Sequence, residues 1–256
     1  MSASPYLLCP GVVLRRTDTK EADQILTLLT AEHGRISVIA RGVKRKGCRY
    51  AAAAGLLAYS DWSLYHRGDW YYANEAETRE LFSGLGKDFL RLSLGCYFAE
   101  LTEALTAEGE ESGELLRHLL NGLYALENFR RPPELLRAAF ELRAMSIAGY
   151  EPLLEGCAFC RREEPEEPVL DIGSGVLRCR RCGSGGAGMP LDGDALAAAR
   201  HVLYGDPKRL YGFTLGEESL RRLSAAAEAF TLAQLERGFR TLDFYKSLQP
   251  PEELSK

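Results

Sequence analysis

The chemistry legible in this chain is concentrated in four cysteines. Cys157 and Cys160 form one C-x-x-C, and Cys179 and Cys182 form a second after eighteen intervening residues. Two thiolates three residues apart on a tight turn can occupy two corners of a tetrahedron, and a second turn brought alongside supplies the other two. Such a set suits one Zn²⁺ held by four sulfurs, closed to water and substrate and therefore structural. An iron–sulfur cluster or a redox C-x-x-C is the competing use of the same thiols. Two disulfides fit poorly, because the N-terminus MSASPYLLCP has neither the basic start nor the apolar run of an export signal. Phe159 in the first knuckle and Arg178, Arg180 and Arg181 around the second form either a contact surface or a solvated edge. Cys9, Cys48 and Cys96 are scattered and read as ordinary reduced residues.

A second chemistry is carried by charge. The chain has 256 residues and a formal net charge of −4, which argues against nucleic acid when taken whole. Mapped along the chain, residues 1–83 hold 11 Lys+Arg against 9 Asp+Glu, a net of +2, and the remainder holds 21 against 27, a net of −6. The stretch RISVIARGVKRKGCR contains Arg35, Arg41, Lys44, Arg45, Lys46 and Arg49 and no acid. A charge run is often no more than a solvated face. Here aromatic residues follow it closely (Tyr50, Tyr59, Trp62, Tyr65, Trp70, Tyr71, Tyr72). A basic groove with aromatic platforms is a common way to hold single-stranded nucleic acid. Alternation along strands buries about half of such rings, so the sequence singles out no stacking residue.

Other chemistries lack their residues. No phosphate-binding G-x-x-x-x-G-K-[ST], dinucleotide G-x-G-x-x-G after a strand, H-E-x-x-H or G-x-S-x-G occurs, and His33, His66, His118 and His201 lie apart. The expectation is a protein that is not an enzyme. No apolar run approaches the ~20 residues that span a bilayer, so no membrane association is expected.

The elements that must position these groups fall into two textures. Residues 11–18, 24–30, 35–40, 56–66 and 70–78 read as strands, with a short helix at 50–55 ending on Gly55. For 24–30 the helical period competes, and the threonines and the tight AEHG loop favour a strand. Five strands with a helix between the third and fourth predict a five-stranded OB-type β-barrel over residues 1–83. Residues 84–256 then form an α-helical domain, with helices at 86–107, 112–128, 134–148, 192–204 and 217–248. Residues 150–190 are rich in Pro and Gly and carry EEPEE and GSGGAG. A structureless loop of ~40 residues is improbable inside a domain. It reads instead as an inserted zinc-ribbon-like segment, so the fold class is α+β. The paired acids Glu163-Glu164 and Glu166-Glu167 read as a solvated loop within it.

The order of pieces resembles a known family. Glu21–Asp23 (E-x-D), Thr30–Gly34 (T-x-E-H-G) and Ala40–Lys44 (A-R-G-V-K) are followed by helices, two C-x-x-C knuckles and RTLDFYKSL. This order is similar to that of the RecO family of bacterial recombination mediators, over nearly the whole chain. The resemblance implies a non-enzymatic DNA-repair protein, cytoplasmic and nucleoid-associated during repair. Such a protein binds single- and double-stranded DNA, anneals complementary strands and, with RecR, helps load RecA onto DNA coated by single-strand-binding protein. It also implies DNA contacts at Arg41, Lys44, Arg45 and Lys46 and metal ligands at the four cysteines. Some family members lack these cysteines, so zinc supports the fold rather than the function. Cys48 stands where a Ser is expected. The acidic C-terminal tail of single-strand-binding protein docks on the helical part in this family, and Arg137, Phe140 and Arg143 on the third helix are candidates by chemistry. A zinc-ribbon module that binds RNA or protein in transcription or translation is the alternative reading.

Overall fold

The computed structural model describes residues 6–19, 21–183 and 188–249. The first five residues, Lys20, residues 184–187 of the GSGGAG run and everything after 249 lie outside the described residues. Five strands, β1 (Tyr6–Asp18), β2 (Gln24–Thr30), β3 (Arg35–Ala40), β4 (Tyr59–Arg67) and β5 (Trp70–Glu80), close a barrel in the order β1-β2-β3-β5-β4. All neighbours are antiparallel except β3 and β5, which run parallel at Val38–Tyr71 and Ile39–Tyr72. Closure removes exposed edges and gives the barrel an inside, filled by Val13, Leu26, Leu28, Val38, Trp62 and Leu64. This is the OB-type barrel expected, and 24–30 is a strand, registered with both β1 and β3.

The segment 50–55 is not a helix. Its bonds run mostly from residue i to i−3 (Ala51 to Cys48, Gly55 to Ala52), a chain of turns rather than an α-ladder. Tyr50, Ala53 and Ala54 are drawn into the barrel core, and the left-handed residue is Leu57 rather than Gly55. Packing thus overrides local helix propensity here.

The helices are α1 (Phe89–Ala104), α2 (Gly113–Asn128), α3 (Pro133–Ile147), α4 (Gly193–Tyr204), α5 (Glu217–Leu235) and α6 (Arg240–Ser247). Asp88 caps α1 by accepting from the amides of Leu90 and Arg91. Gly149, with φ +87°, ends α3 while the Tyr150 amide bonds back to Met145. The expected single helix at 217–248 is two. Glu236 turns left-handed (φ 50°), and Phe239 inserts edge-on against Tyr97 with ring centroids 5.6 Å apart.

The chain divides into two compact units. One holds the described residues up to Glu127 and those from Phe239 on, and the other holds Asn128–Gly238. In the first, Arg15 and Arg35 of the barrel reach Glu103 of α1, and α6 joins α1 through Glu100, which accepts from the amide and hydroxyl of Thr241. In the second, α3, α4 and α5 pack together beside a three-stranded sheet in the order β7-β6-β8: β6 (Pro168–Asp171), β7 (Val176–Cys179) and β8 (Gly188–Pro190).

Candidate nucleic-acid interface and metal centre

The basic stretch leaves β3 at Ala40 and folds into consecutive turns. The Arg45 amide bonds to the Gly42 carbonyl and that of Cys48 to the Arg45 carbonyl. Gly42 (φ +64°) and Gly47 (φ +85°) supply the left-handed backbone. The loop is pinned from three sides. Asp23 Oδ1 accepts the Gly42 amide at 2.7 Å, the Lys44 amide bonds to the Ala22 carbonyl at 3.1 Å, and the Tyr50 hydroxyl donates to the Arg41 carbonyl at 2.6 Å. Val43 is the buried anchor. The E-x-D and A-R-G-V-K pieces are therefore two halves of one contact, because Asp23 is the acceptor that orders Gly42.

Pinned in this way, the loop holds its cations outward. Arg41, Lys44, Arg45, Lys46 and Arg49 are all exposed. Lys44 pairs with Asp18 at 2.6 Å, and with Gln24 it holds that carboxyl below its usual range. Arg49 lies 3.7 Å from Glu75, and Arg41 stacks on Tyr72. Arg45 and Lys46 have no carboxylate partner among the described residues. Arg35 is different. It is half-buried, and its guanidinium donates to the Glu103 carbonyl, which makes it a strut between β3 and α1. The structure thus brings five of the six basic residues onto one loop and places the sixth elsewhere.

The four cysteines converge as their spacing requires. Their sulfurs all lie within 4.8 Å of one another: Cys157–Cys179 3.9 Å, Cys160–Cys179 3.8 Å and Cys179–Cys182 3.3 Å. A tetrahedral ion with bonds of ~2.3 Å to sulfur would separate its ligands by roughly 3.8 Å. A disulfide would need ~2.05 Å, and all seven cysteines are free. Burial pushes the Cys157 thiol up, but amides of Cys160, Cys179 and Phe159 outweigh it and bring it down to about 6. A thiolate already favoured by backbone N–H groups suits a cation ligand. The cluster can hold a metal ion. Both knuckles end on a left-handed residue directly after their second cysteine, Arg161 (φ 63°) and Gly183 (φ 82°). By contrast, burial raises Cys9 to about 11 and also raises Cys96, so neither is poised to react.

Sequence reasoning missed the residue that fastens the first knuckle. Arg200 of α4 donates to the carbonyls of Leu154 (2.9 Å), Glu155 (3.0 Å) and Glu163 (2.6 Å) and pairs with Glu164 (2.6 Å). One turn on, the Tyr204 hydroxyl donates to the Pro152 carbonyl and accepts from the Leu154 amide. A long-range clamp of this kind leaves no spacing signal. The arginines of the second knuckle are likewise paired, Arg178 with Asp171, Arg180 with Glu167 and Arg181 with Glu166, while Arg178 also covers the Phe159 ring. The acids read as a solvated loop are exposed as expected, and three of them, Glu164, Glu166 and Glu167, pair with Arg200, Arg181 and Arg180.

The proposed tail-binding trio needs correction. Phe140 is 0% exposed in the core of its unit, and Arg137 is 6% exposed. The Arg137 guanidinium is held by Glu141 (2.9 Å), Glu228 (2.8 Å) and Ser224 (2.6 Å), and Arg143 donates to the Leu203 carbonyl. A buried charge needs such partners. Arg137 and Phe140 are buried inside their unit and present no surface to a peptide, whereas Arg143 is partly exposed with its guanidinium engaged on α4.

Comparison with known proteins adds the remaining observation. Residues 1–82 match the family model for the N-terminal part of recombination protein O, and residues 86–243 match the model for its C-terminal part. The chain is 32% identical over 247 residues to the DNA repair protein RecO of Symbiobacterium thermophilum, covering 93% of this chain and 96% of that one. It is 32% identical over 247 residues to the RecO of Heliobacterium modesticaldum, covering 93% and 88%. To that of Acetivibrio thermocellus it is 27% identical over 244 residues, covering 95% and 97%.

Proposed function

This chain belongs to the RecO family of DNA repair and recombination proteins, and from that premise we propose that it is a DNA-binding mediator that works without turnover. The loop from Arg41 to Arg49 contacts phosphates of single- and double-stranded DNA, and bound complementary strands anneal. With RecR the protein helps load RecA onto DNA coated by single-strand-binding protein, whose acidic tail docks on the helical part away from the buried Arg137 and Phe140. The work is done in the cytoplasm, at the nucleoid during repair. The cysteine cluster holds one Zn²⁺ that supplies folding energy to a segment short of apolar burial.

One observation carries the reading. A barrel of OB type displays an acid-free loop whose backbone is pinned at Arg41, Gly42 and Lys44, while Arg45 and Lys46 have no carboxylate partner among the described residues. Pre-ordered cations without internal partners meet phosphate without first losing a competing ion pair. Fluorescence annealing of complementary oligonucleotides is the direct test. The protein should accelerate it, and the acceleration should fade with salt. Raising salt from 50 to 200 mM should weaken single-strand binding roughly 20-fold if three cations contact phosphate, or roughly 100-fold if all five do. An unchanged annealing rate together with salt-independent binding would reject the proposal.

A further inference from the structure

Three tyrosines form a row across the outside of the barrel. Tyr6 of β1 is the register partner of Tyr65 of β4, and Tyr65 is the partner of Tyr72 of β5. Directly opposed residues of an antiparallel ladder project from the same face. Leu64, next to Tyr65, is fully buried, so Tyr65 and its two partners point outward. Tyr6 is 51% exposed and Tyr65 37%. Their rings meet edge-on at 5.4 Å, and the Arg41 guanidinium lies 4.8 Å over the Tyr72 ring. A groove of about 350 Å³ runs along the row, lined by these three rings, Arg41, Arg67, Ala73 and Asn74. Among the described residues its lining holds two guanidiniums and no carboxylate.

Two exposed rings beside a half-buried third that carries a guanidinium, with no acid in the described lining, fit a ligand that is planar and anionic at once. We infer that the row is a stacking subsite for the unpaired bases of a single strand, with Arg41 and Arg67 taking the flanking phosphates. This deepens the DNA-binding reading and rests on it. Arg41 belongs to both the groove and the basic loop, so the two surfaces are continuous. The division of labour follows from chemistry. The loop touches phosphates, which single strands and duplexes share. The rings need free base faces, which a duplex keeps stacked on one another. The row therefore discriminates between the two forms.

The test compares the full-length protein with Tyr65→Ala and Tyr72→Ala, titrated with a fluorescent DNA oligonucleotide as single strand and as duplex. Each variant should lose roughly 5- to 150-fold in single-strand affinity, the worth of one base–ring stack. Duplex affinity and the salt slope should stay as they were, and Tyr65→Phe should bind like the parent. Equal losses on both DNA forms, or no loss on either, would overturn the subsite. A photocrosslink from 5-iododeoxyuridine in the single strand, made on the unsubstituted protein, serves where a variant fails to fold. It should land on Tyr6, Tyr65 or Tyr72, and crosslinks confined to other residues would also overturn the proposal. Arg45→Glu with Lys46→Glu separates this idea from its premise. If that pair abolishes binding to both forms while the tyrosine variants change nothing, the stacking row is wrong and the DNA-binding reading stands. If the parent protein binds neither form, the premise itself has failed.

Discussion

Asp23 and Gly34 do the most with the fewest atoms. Asp23 turns a flexible glycine-flanked stretch into a fixed platform by accepting one amide. Gly34 closes the β2–β3 turn at φ +58°, where a Cβ would stand 2.4 Å from the Glu110 carbonyl oxygen and 2.5 Å from that of Ala107. Those oxygens belong to backbone that cannot swing away, because the Arg35 amide bonds to Ala107 and the Ser112 amide to Ala31. Gly34→Ala combines a left-handed alanine, which costs ~1–2 kcal/mol, with a backbone clash. It should lower stability by more than ~2 kcal/mol, read as a shifted urea midpoint with unchanged slope. A midpoint within error of the parent would show that the turn can open. The same change at Gly47, also left-handed but with nothing within 4 Å of a Cβ, should cost only the conformational part.

Among the elements, the metal knuckles show what spacing can reveal. Cys-x-x-Cys is legible because both sulfurs sit on one local turn, and the requirement for a tetrahedron recurs in the second pair. The strand at 24–30 was legible for a similar reason, since its tight turn fixes its partner. The double helix α5–α6 was not. Leu235, Phe239 and Leu242 keep a helical period straight through the break, so apolar pattern alone runs α5 into α6, and Gly238 is the lone local sign of interruption. The α3 trio misled for a different reason. Arg137 and Phe140 look like one exposed face until Glu228, ninety-one residues away in sequence, is seen to cover it. Arg200 is the element-level partner of the metal site. Arg200→Ala removes donors to three carbonyls, so the first knuckle should loosen, and a chelator should strip the metal from zinc-loaded protein several-fold faster, followed by a zinc indicator dye. Conversely, full chelation of the parent should raise hydrogen exchange across residues 153–190, with the β1–β5 barrel keeping its protection. Zinc release at the parent's rate in the Arg200 variant would show that the clamp is incidental.

At the scale of the whole molecule, charge is partitioned rather than averaged. The −4 total first argues against DNA, yet the cations that count are collected on one loop of the +2 segment, and the acids of the remainder are in part occupied by arginines of the knuckles and helices. The path of the chain matters as much. The first unit is completed by α6, although the 111 residues of the second unit intervene in sequence. Phe239 and Tyr245 are each 1% exposed. Phe239→Ala leaves a cavity beside Tyr97 and should destabilise that unit by ~3–5 kcal/mol. Differential scanning calorimetry should show the loss in the transition that carries the barrel, and a loss confined to the other transition would contradict the packing described.

That return has a consequence for how the protein comes into being. Synthesis proceeds at ~5–20 residues per second, and domains mature as units. At those speeds, roughly 6–22 seconds pass between completing α2 and starting α6. During that interval the α1 face that receives Phe239 has no cover from its own chain. The first unit is therefore made with the α1 face around Tyr97 open, and it stays incomplete until the final helix arrives to close it.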